Sequence, residues 1–214
     1  MAIDYVLYTH PLSRGRVARW MLEETGLPYR HEILDYGADM KTPAYRAINP
    51  MGKVPALVHG DTVVTENAAI CAYLAEQVPE RQLAPPPGSA ARGPYYRWLM
   101  FMAGPFEALL TARQSGTLAP SHSAGYGNEA DLLHTLETAL EGREHLAGEH
   151  FTAVDLYVAA CLGFYLRIGA LAPRPAFMAF AQRHGTRPAA RRAQAIDDGL
   201  LAAHPNPHLP VAPV

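Results

Sequence analysis

Asn49-Pro50-Met51-Gly52-Lys53-Val54-Pro55-Ala56-Leu57-Val58-His59-Gly60-Asp61-Thr62-Val63-Val64-Thr65-Glu66-Asn67-Ala68 decides how this chain folds. It opens with turn residues and then carries two short apolar, β-branched runs, residues 55–59 and 62–64. Gly60-Asp61 separates them, and glycine at the first position of a two-residue loop marks a β-hairpin. Residues 65–77 follow, with Ile70, Tyr73 and Leu74 at helical spacing. The stretch therefore reads β-β-α.

Upstream, residues 4–8 read as a strand, broken by Pro11-Leu12-Ser13. Residues 14–25 carry Val17, Ala18, Met21 and Leu22 on one stripe, and Gly26 ends that helix. Residues 31–34 read as a second strand and residues 42–48 as a short helix, so the first 80 residues run β-α-β-α-β-β-α. Ala84-Pro85-Pro86-Pro87-Gly88 and Gly93-Pro94 then hold neither helix nor strand, and residues 81–94 read as a linker. Residues 95–214 read as a second, all-helical domain. Trp98, Leu99, Met102, Phe106, Leu109 and Leu110 keep a helical period that Gly104-Pro105 should kink or break. Leu132, Leu133, Leu136 and Leu140 mark an amphipathic helix, and residues 154–168 are apolar on nearly every face, as a buried central helix would be. Residues 175–184 and 188–203 complete the helices, and the tail from 204 to 214, with four prolines, reads as extended.

Composition narrows the function. Lys+Arg 18 against Asp+Glu 20 gives a formal charge of -2, without the basic excess that nucleic acid calls for. No apolar run approaches the roughly 20 residues of a membrane helix, and no signal peptide precedes the first strand. Cys71 and Cys161 lie far apart, which fits a reducing compartment, and Cys71 reads as a small buried hydrophobe. The ten histidines show no metal-ligand spacing, so no metal is expected.

Three motifs carry a resemblance that spans the chain: Leu7-Tyr8-Thr9-His10-Pro11-Leu12-Ser13-Arg14-Gly15-Arg16; the Asn49–Leu57 stretch with Val64-Thr65-Glu66-Asn67; and Thr152-Ala153-Val154-Asp155. Together they resemble the cytosolic glutathione transferases. The resemblance implies an α/β thioredoxin-like N-terminal domain, a helical bundle after it, a cytoplasmic homodimer, glutathione as co-substrate and a small hydrophobic electrophile as partner.

The residue types suit that ligand, which has two carboxylates, an ammonium and a thiol. Val54-Pro55 resembles the family's cis-proline turn, where the residue before proline pairs its backbone with the cysteinyl part of the peptide; its plain structural reading is a proline at strand entry. By the same resemblance Glu66 meets the γ-glutamyl ammonium, Asn67 and its N–H meet the adjacent carboxylate, and Lys53 meets the glycyl carboxylate. Asn67 stands where the family more often has serine. Lys53 equally reads as a solvated loop lysine, and residues 65–67 as a helix cap.

Ser13 falls where serine-type members keep the hydroxyl that donates to the thiolate, and it is also a good helix N-cap. Tyr8, Thr9 and His10 compete with it, and Arg14 and Arg16 either add positive potential or lie on the surface. Tyr95, Tyr96, Phe101, Phe106 and Tyr165 are candidates for the electrophile's wall, although helical aromatics more often pack in a core. Thr152-x-x-Asp155 reads as a capping box, structural before functional. Two other readings share the fold: a glutathione-dependent disulfide reductase or peroxidase, and a non-catalytic carrier or protein-interaction module.

Overall fold

The computed structural model describes residues 4–203; the proline-rich tail expected to be extended lies outside the described residues. Two compact units emerge: residues 4–78 joined by 187–203, and residues 79–186.

The first unit is built on a four-stranded sheet in the order β2-β1-β3-β4, with β1 (Tyr5–Thr9), β2 (Tyr29–Ile33), β3 (Ala56–His59) and β4 (Thr62–Thr65). β1 runs parallel to β2, so the chain must cross over between them, and α1 (Gly15–Thr25) supplies the crossover. Gly26, at φ 66°, ends α1 by returning its N–H to Leu22 O at 3.1 Å, as the sequence predicts. A 3₁₀ turn (Asp39–Lys41) and α2 (Pro43–Ile48) lead into β3, which pairs antiparallel with both β1 and β4. α3 (Asn67–Glu76) closes the β-α-β-α-β-β-α order. Leu7, Met21, Leu22, Leu57, Ile70 and Leu74 have no solvent exposure and form the core of this unit.

The second unit begins with a 3₁₀ turn (Pro79–Arg81), and α4 (Arg92–Phe101) starts before the expected linker ends. Gly93 and Pro94 sit in the first turn of α4, where a missing N–H removes no intrahelical bond. The break expected at Gly104-Pro105 is a π-helical turn, Met102–Phe106, continuous with α4 and α5 (Glu107–Gln114). Widening the turn takes up the lost proline N–H without ending the helix. α6 (Glu129–Leu140), α7 (Ala153–Arg167) and α8 (Pro175–Gly185) complete the unit, and α7 is buried on nearly every face. The capping box at its start is present: the Asp155 carboxylate accepts the Thr152 N–H at 2.8 Å and the Leu146 N–H at 2.7 Å.

The domain division differs from the sequence expectation at its end. Residues 95–214 were to form one helical domain, yet α9 (Pro188–Ala203) packs against α1 and belongs with the sheet. Four ion pairs join α1 to α9 and the residue just before it in antiparallel order: Arg16–Asp198, Arg19–Asp197, Arg192–Glu23 and Arg187–Glu24, at 2.7 to 3.0 Å. Their partners are more than 160 residues apart in sequence, where no local pattern registers them.

Candidate active site at the carboxyl end of the parallel strands

Strand register brings the sequence motifs to one edge of the sheet. Thr9 pairs with Ile33, Tyr8 with Ala56, and Ala56 with Thr65. One step further along each strand, Pro55 stands beside Thr9 and Glu66 beside Pro55. The loop after β1, the Val54–Pro55 entry to β3 and the start of α3 therefore meet at the carboxyl ends of the parallel strands β1 and β2, the usual ligand end of such sheets.

In the loop after β1, Ser13 is 9% exposed. Its hydroxyl donates to His10 O at 2.7 Å and accepts the Gly15 N–H at 2.9 Å. His10 O also receives the Ser13 N–H at 2.8 Å. The single hydroxyl proton is thus committed to a carbonyl that has a second donor. Thr9 and His10 are fully buried, while Tyr8 is half-buried with its ring 5.6 Å from that of Tyr45. Gly15 is obligatory: a Cβ there would lie 1.8 Å from Thr9 Oγ1 and 2.9 Å from Ser13 Oγ. Gly15→Ala is expected to cost about 1–3 kcal/mol by overpacking and to displace Ser13, read as a lower urea midpoint together with weaker turnover; an unchanged midpoint would show that the loop has slack.

The Asn49–Lys53 turn is held from several sides. Tyr45 Oη and Asn49 Nδ2 both donate to Lys53 O, at 2.6 and 2.8 Å. Lys41 Nζ donates to Met51 O at 3.0 Å and Gly52 O at 2.7 Å. Gly52 has φ 57°, and a Cβ there would meet Met40 O at 2.4 Å. The Lys53 side chain is exposed, and the Val54–Pro55 bond is cis. Val54 packs with Tyr8, Leu34 and Ile48 against Met40, Tyr45 and Ala56.

Glu66 adopts φ 66° and ψ 121°, a conformation that non-glycine residues rarely take and that tends to persist at ligand sites. It is exposed. Beside it Asn67 donates from Nδ2 to Arg14 O at 3.0 Å, tying the start of α3 to the start of α1. Since a carbonyl only accepts, this fixes the amide, and the buried Asn67 Oδ1 has no partner among the described residues. One amide hydrogen that the sequence offered to a ligand is spent on the protein itself.

Sequence reasoning missed Tyr36. This residue follows β2 in the loop beside the Ser13 turn, 42% exposed, its ring packed edge-on against His10 with centroids 4.7 Å apart. Of the proposed wall aromatics, Tyr95, Phe106 and Tyr165 are buried within the helical unit, and Tyr165 Oη donates to Glu107 Oε2 at 2.6 Å. Tyr96 and Phe101 remain accessible. A hollow of about 630 Å³ in that unit is lined by Ala103, Gly104, Pro105, Glu107, Ala108 and Thr111 among others. His145, Asp155 and His184 bring ligand atoms within 4.8 Å of one another, a grouping that their sequence spacing hides; the Asp155 oxygens are already engaged by Leu146 and Thr152.

Comparison with known proteins gives the family and agrees with the fold. The family described as Glutathione S-transferase, N-terminal domain matches residues 7–82, and Glutathione S-transferase, C-terminal domain matches residues 106–188. A glutathione S-transferase of Escherichia coli O157:H7 is 33% identical over 150 residues, 67% of this chain and 73% of that protein. One from Xanthomonas campestris is 29% identical over 186 residues, 83% of this chain and 91% of its own length. The structure of a sphingomonad glutathione S-transferase complexed with glutathione superposes with a TM-score of 0.73 at 31% identity, covering 90% of this chain and 98% of that one. With both domain families matched in order and related proteins in sequence and structure, the chain belongs to the glutathione S-transferase family.

Proposed function

We propose that this protein binds glutathione along the sheet edge formed by Ser13, Val54–Pro55 and Glu66–Asn67, and stabilises its thiolate for attack on small, partly apolar electrophiles. The observation that carries this reading is the Asn67–Arg14 bond, which holds the starts of α1 and α3 together beside the Ser13 turn. Both helix N-termini favour negative charge, and the ligand brings two carboxylates and a thiolate.

In this reading Glu66 receives the γ-glutamyl ammonium, and the N–H groups that open α3 receive the neighbouring carboxylate. Val54 pairs its backbone with the cysteinyl unit, and Lys53 reaches the glycyl carboxylate. Ser13 gives its proton to the sulfur by rotating away from His10 O, which retains the Ser13 N–H. A free thiol has a pKa of about 8.5, and such a donor lowers it. The serine is a donor and not a nucleophile; the sulfur forms the new bond. The reading includes a homodimer in the cytoplasm, and a monomeric mass in light scattering would count against the assembly.

Calorimetry with glutathione tests the assignment. Glu66→Ala is expected to weaken binding about tenfold or more, while Ser13→Ala keeps the affinity and loses conjugation. No binding at millimolar glutathione would sink the site. Binding without turnover across several electrophile types would instead favour a carrier, a reading that the committed Ser13 proton makes concrete.

A further inference from the structure

The parallel pairing of β1 with β2 does more than carry the Ser13 turn. Leu34 N–H bonds to Thr9 O at 3.0 Å, extending the ladder past the end of β2. The next residues of that loop must then lie against residues 10–14. Asp35 places Oδ1 3.7 Å from His10 Nε2, and the Tyr36 ring stands edge-on to the His10 ring at 4.7 Å and 61°. His10 Nδ1 accepts the Leu12 N–H at 3.1 Å, so the ring is fixed from its other side. Against the raising effect of burial, the Ser13 side chain and the Arg14 charge both act to lower the pKa of the Tyr36 phenol. The Ser13 hydroxyl thus lies between His10 and Gly15, and a tyrosine from a different segment of the chain packs beside the same turn.

Ser13 has one proton, and it is donated to His10 O at 2.7 Å. Tyr36 brings a second hydroxyl to the loop packed on the Ser13 turn, on a side chain that solvent reaches. We propose that Tyr36 is a further catalytic residue, its hydroxyl donating a hydrogen bond to the glutathione sulfur alongside Ser13. The proposal rests on the glutathione reading above. No bond to Tyr36 is made or broken: the thiol proton passes to water, and the phenol keeps its own proton while holding the sulfur's charge. Burial pushes the Tyr36 phenol above its ordinary 10, against the lowering influence of Ser13 and Arg14, so it remains a donor at the pH where the thiol ionises.

The test is the pKa of bound glutathione, followed through thiolate absorbance in the unaltered protein, Tyr36→Phe and Ser13→Ala, with calorimetric affinities measured in parallel. Tyr36→Phe keeps the ring against His10 and removes only the hydroxyl. It is expected to raise the bound thiol's pKa by about one to two units, to lower turnover below neutral pH, and to leave the glutathione Kd within about twofold when measured below the bound thiol's pKa, where linkage makes no difference between the two proteins. The two substitutions together should fall short of the sum of their separate shifts, because both donors serve one atom. A thiol pKa unchanged in Tyr36→Phe, with glutathione still bound, overturns the proposal alone. Failure of the unaltered protein to bind glutathione overturns the glutathione reading and this proposal with it.

Discussion

Arg19→Ala is expected to destabilise the protein by about 3–5 kcal/mol, the cost of leaving a buried charge without its partner. Arg19 has no solvent exposure, and its Nε donates to Asp197 Oδ1 at 2.8 Å, where the carboxylate is equally buried. Tyr29 Oη and His31 Nδ1 lie 3.3 and 3.4 Å from Arg19 Nη1. Arg19 Nη2 and Asp197 Oδ2 have no partner among the described residues, so the pair is held by one good bond and carries two unsatisfied atoms. That predicts an asymmetry. Removing one partner is costly, while replacing both together, as Arg19→Met with Asp197→Leu, should recover most of the loss. Urea melts of the single and the double variant decide it; a single substitution costing under about 1 kcal/mol would show that water reaches the pair.

The same pair gives a pH dependence. Burial raises the Asp197 carboxyl above its ordinary 3.8, and the neighbouring Arg19 and Arg16 only partly offset this. The native state therefore binds this proton more tightly than the unfolded chain. The contribution of Asp197 to stability is greatest below 3.8 and falls as pH rises through the native value. Without Arg19 the native value rises further, so the deficit of Arg19→Ala should widen from mildly acid to neutral pH. A deficit that narrows over that range would contradict the assignment. His31 moves the other way, its imidazole pKa lowered by burial and then by the Arg19 charge, which keeps it neutral beside the guanidinium.

How much of this was legible beforehand follows from the range over which each signal acts. Gly26, the Gly60-Asp61 hairpin and the Thr152–Asp155 box are local rules, in which a few adjacent residues set a dihedral or cap a helix, and all three stand where the sequence puts them. The apolar periods gave α3 and α7 for the same reason. The site motifs were legible as strings, and strand register then brought Ser13, Pro55 and Glu66 to one edge. Tyr36 was not legible, because its importance comes from β1 and β2 being parallel neighbours, a relation that no window around residue 36 contains. The seating of α9 on α1 was hidden likewise: Arg19 is fully buried and bonded to Asp197, which arrives from the far end of the chain. The continuous helix through Gly104-Pro105 reflects a third limit, since a proline can be accommodated by a wider turn as well as by a break.

Asp155→Ala should cost about 3 kcal/mol or more, and should do so without touching the proposed glutathione site. The carboxylate is fully buried at the start of α7, where Oδ1 accepts the Leu146 N–H at 2.7 Å and Oδ2 accepts the Thr152 N–H at 2.8 Å and the Thr152 hydroxyl at 3.1 Å. Alanine strands two backbone donors that water cannot reach, each worth about 1–3 kcal/mol, and removes the anion from a helix N-terminus. Asp155→Asn is the sharper variant. One oxygen survives as an acceptor, but the amide NH₂ then faces a donor, either Leu146 N–H or Thr152 N–H, so it should recover only part of the loss. Burial holds the Asp155 carboxyl above its usual range even with these donors and His145 pulling it down, so the ionised box is already a compromise between desolvation and hydrogen bonding. Thermal melts should place the three proteins in the order unaltered, Asp155→Asn, Asp155→Ala. At low temperature, where the variants are still folded, each should bind glutathione as the unaltered protein does, because Asp155 and the sheet edge belong to different units. Lost binding with an unchanged melt would assign Asp155 to the ligand and contradict its structural role.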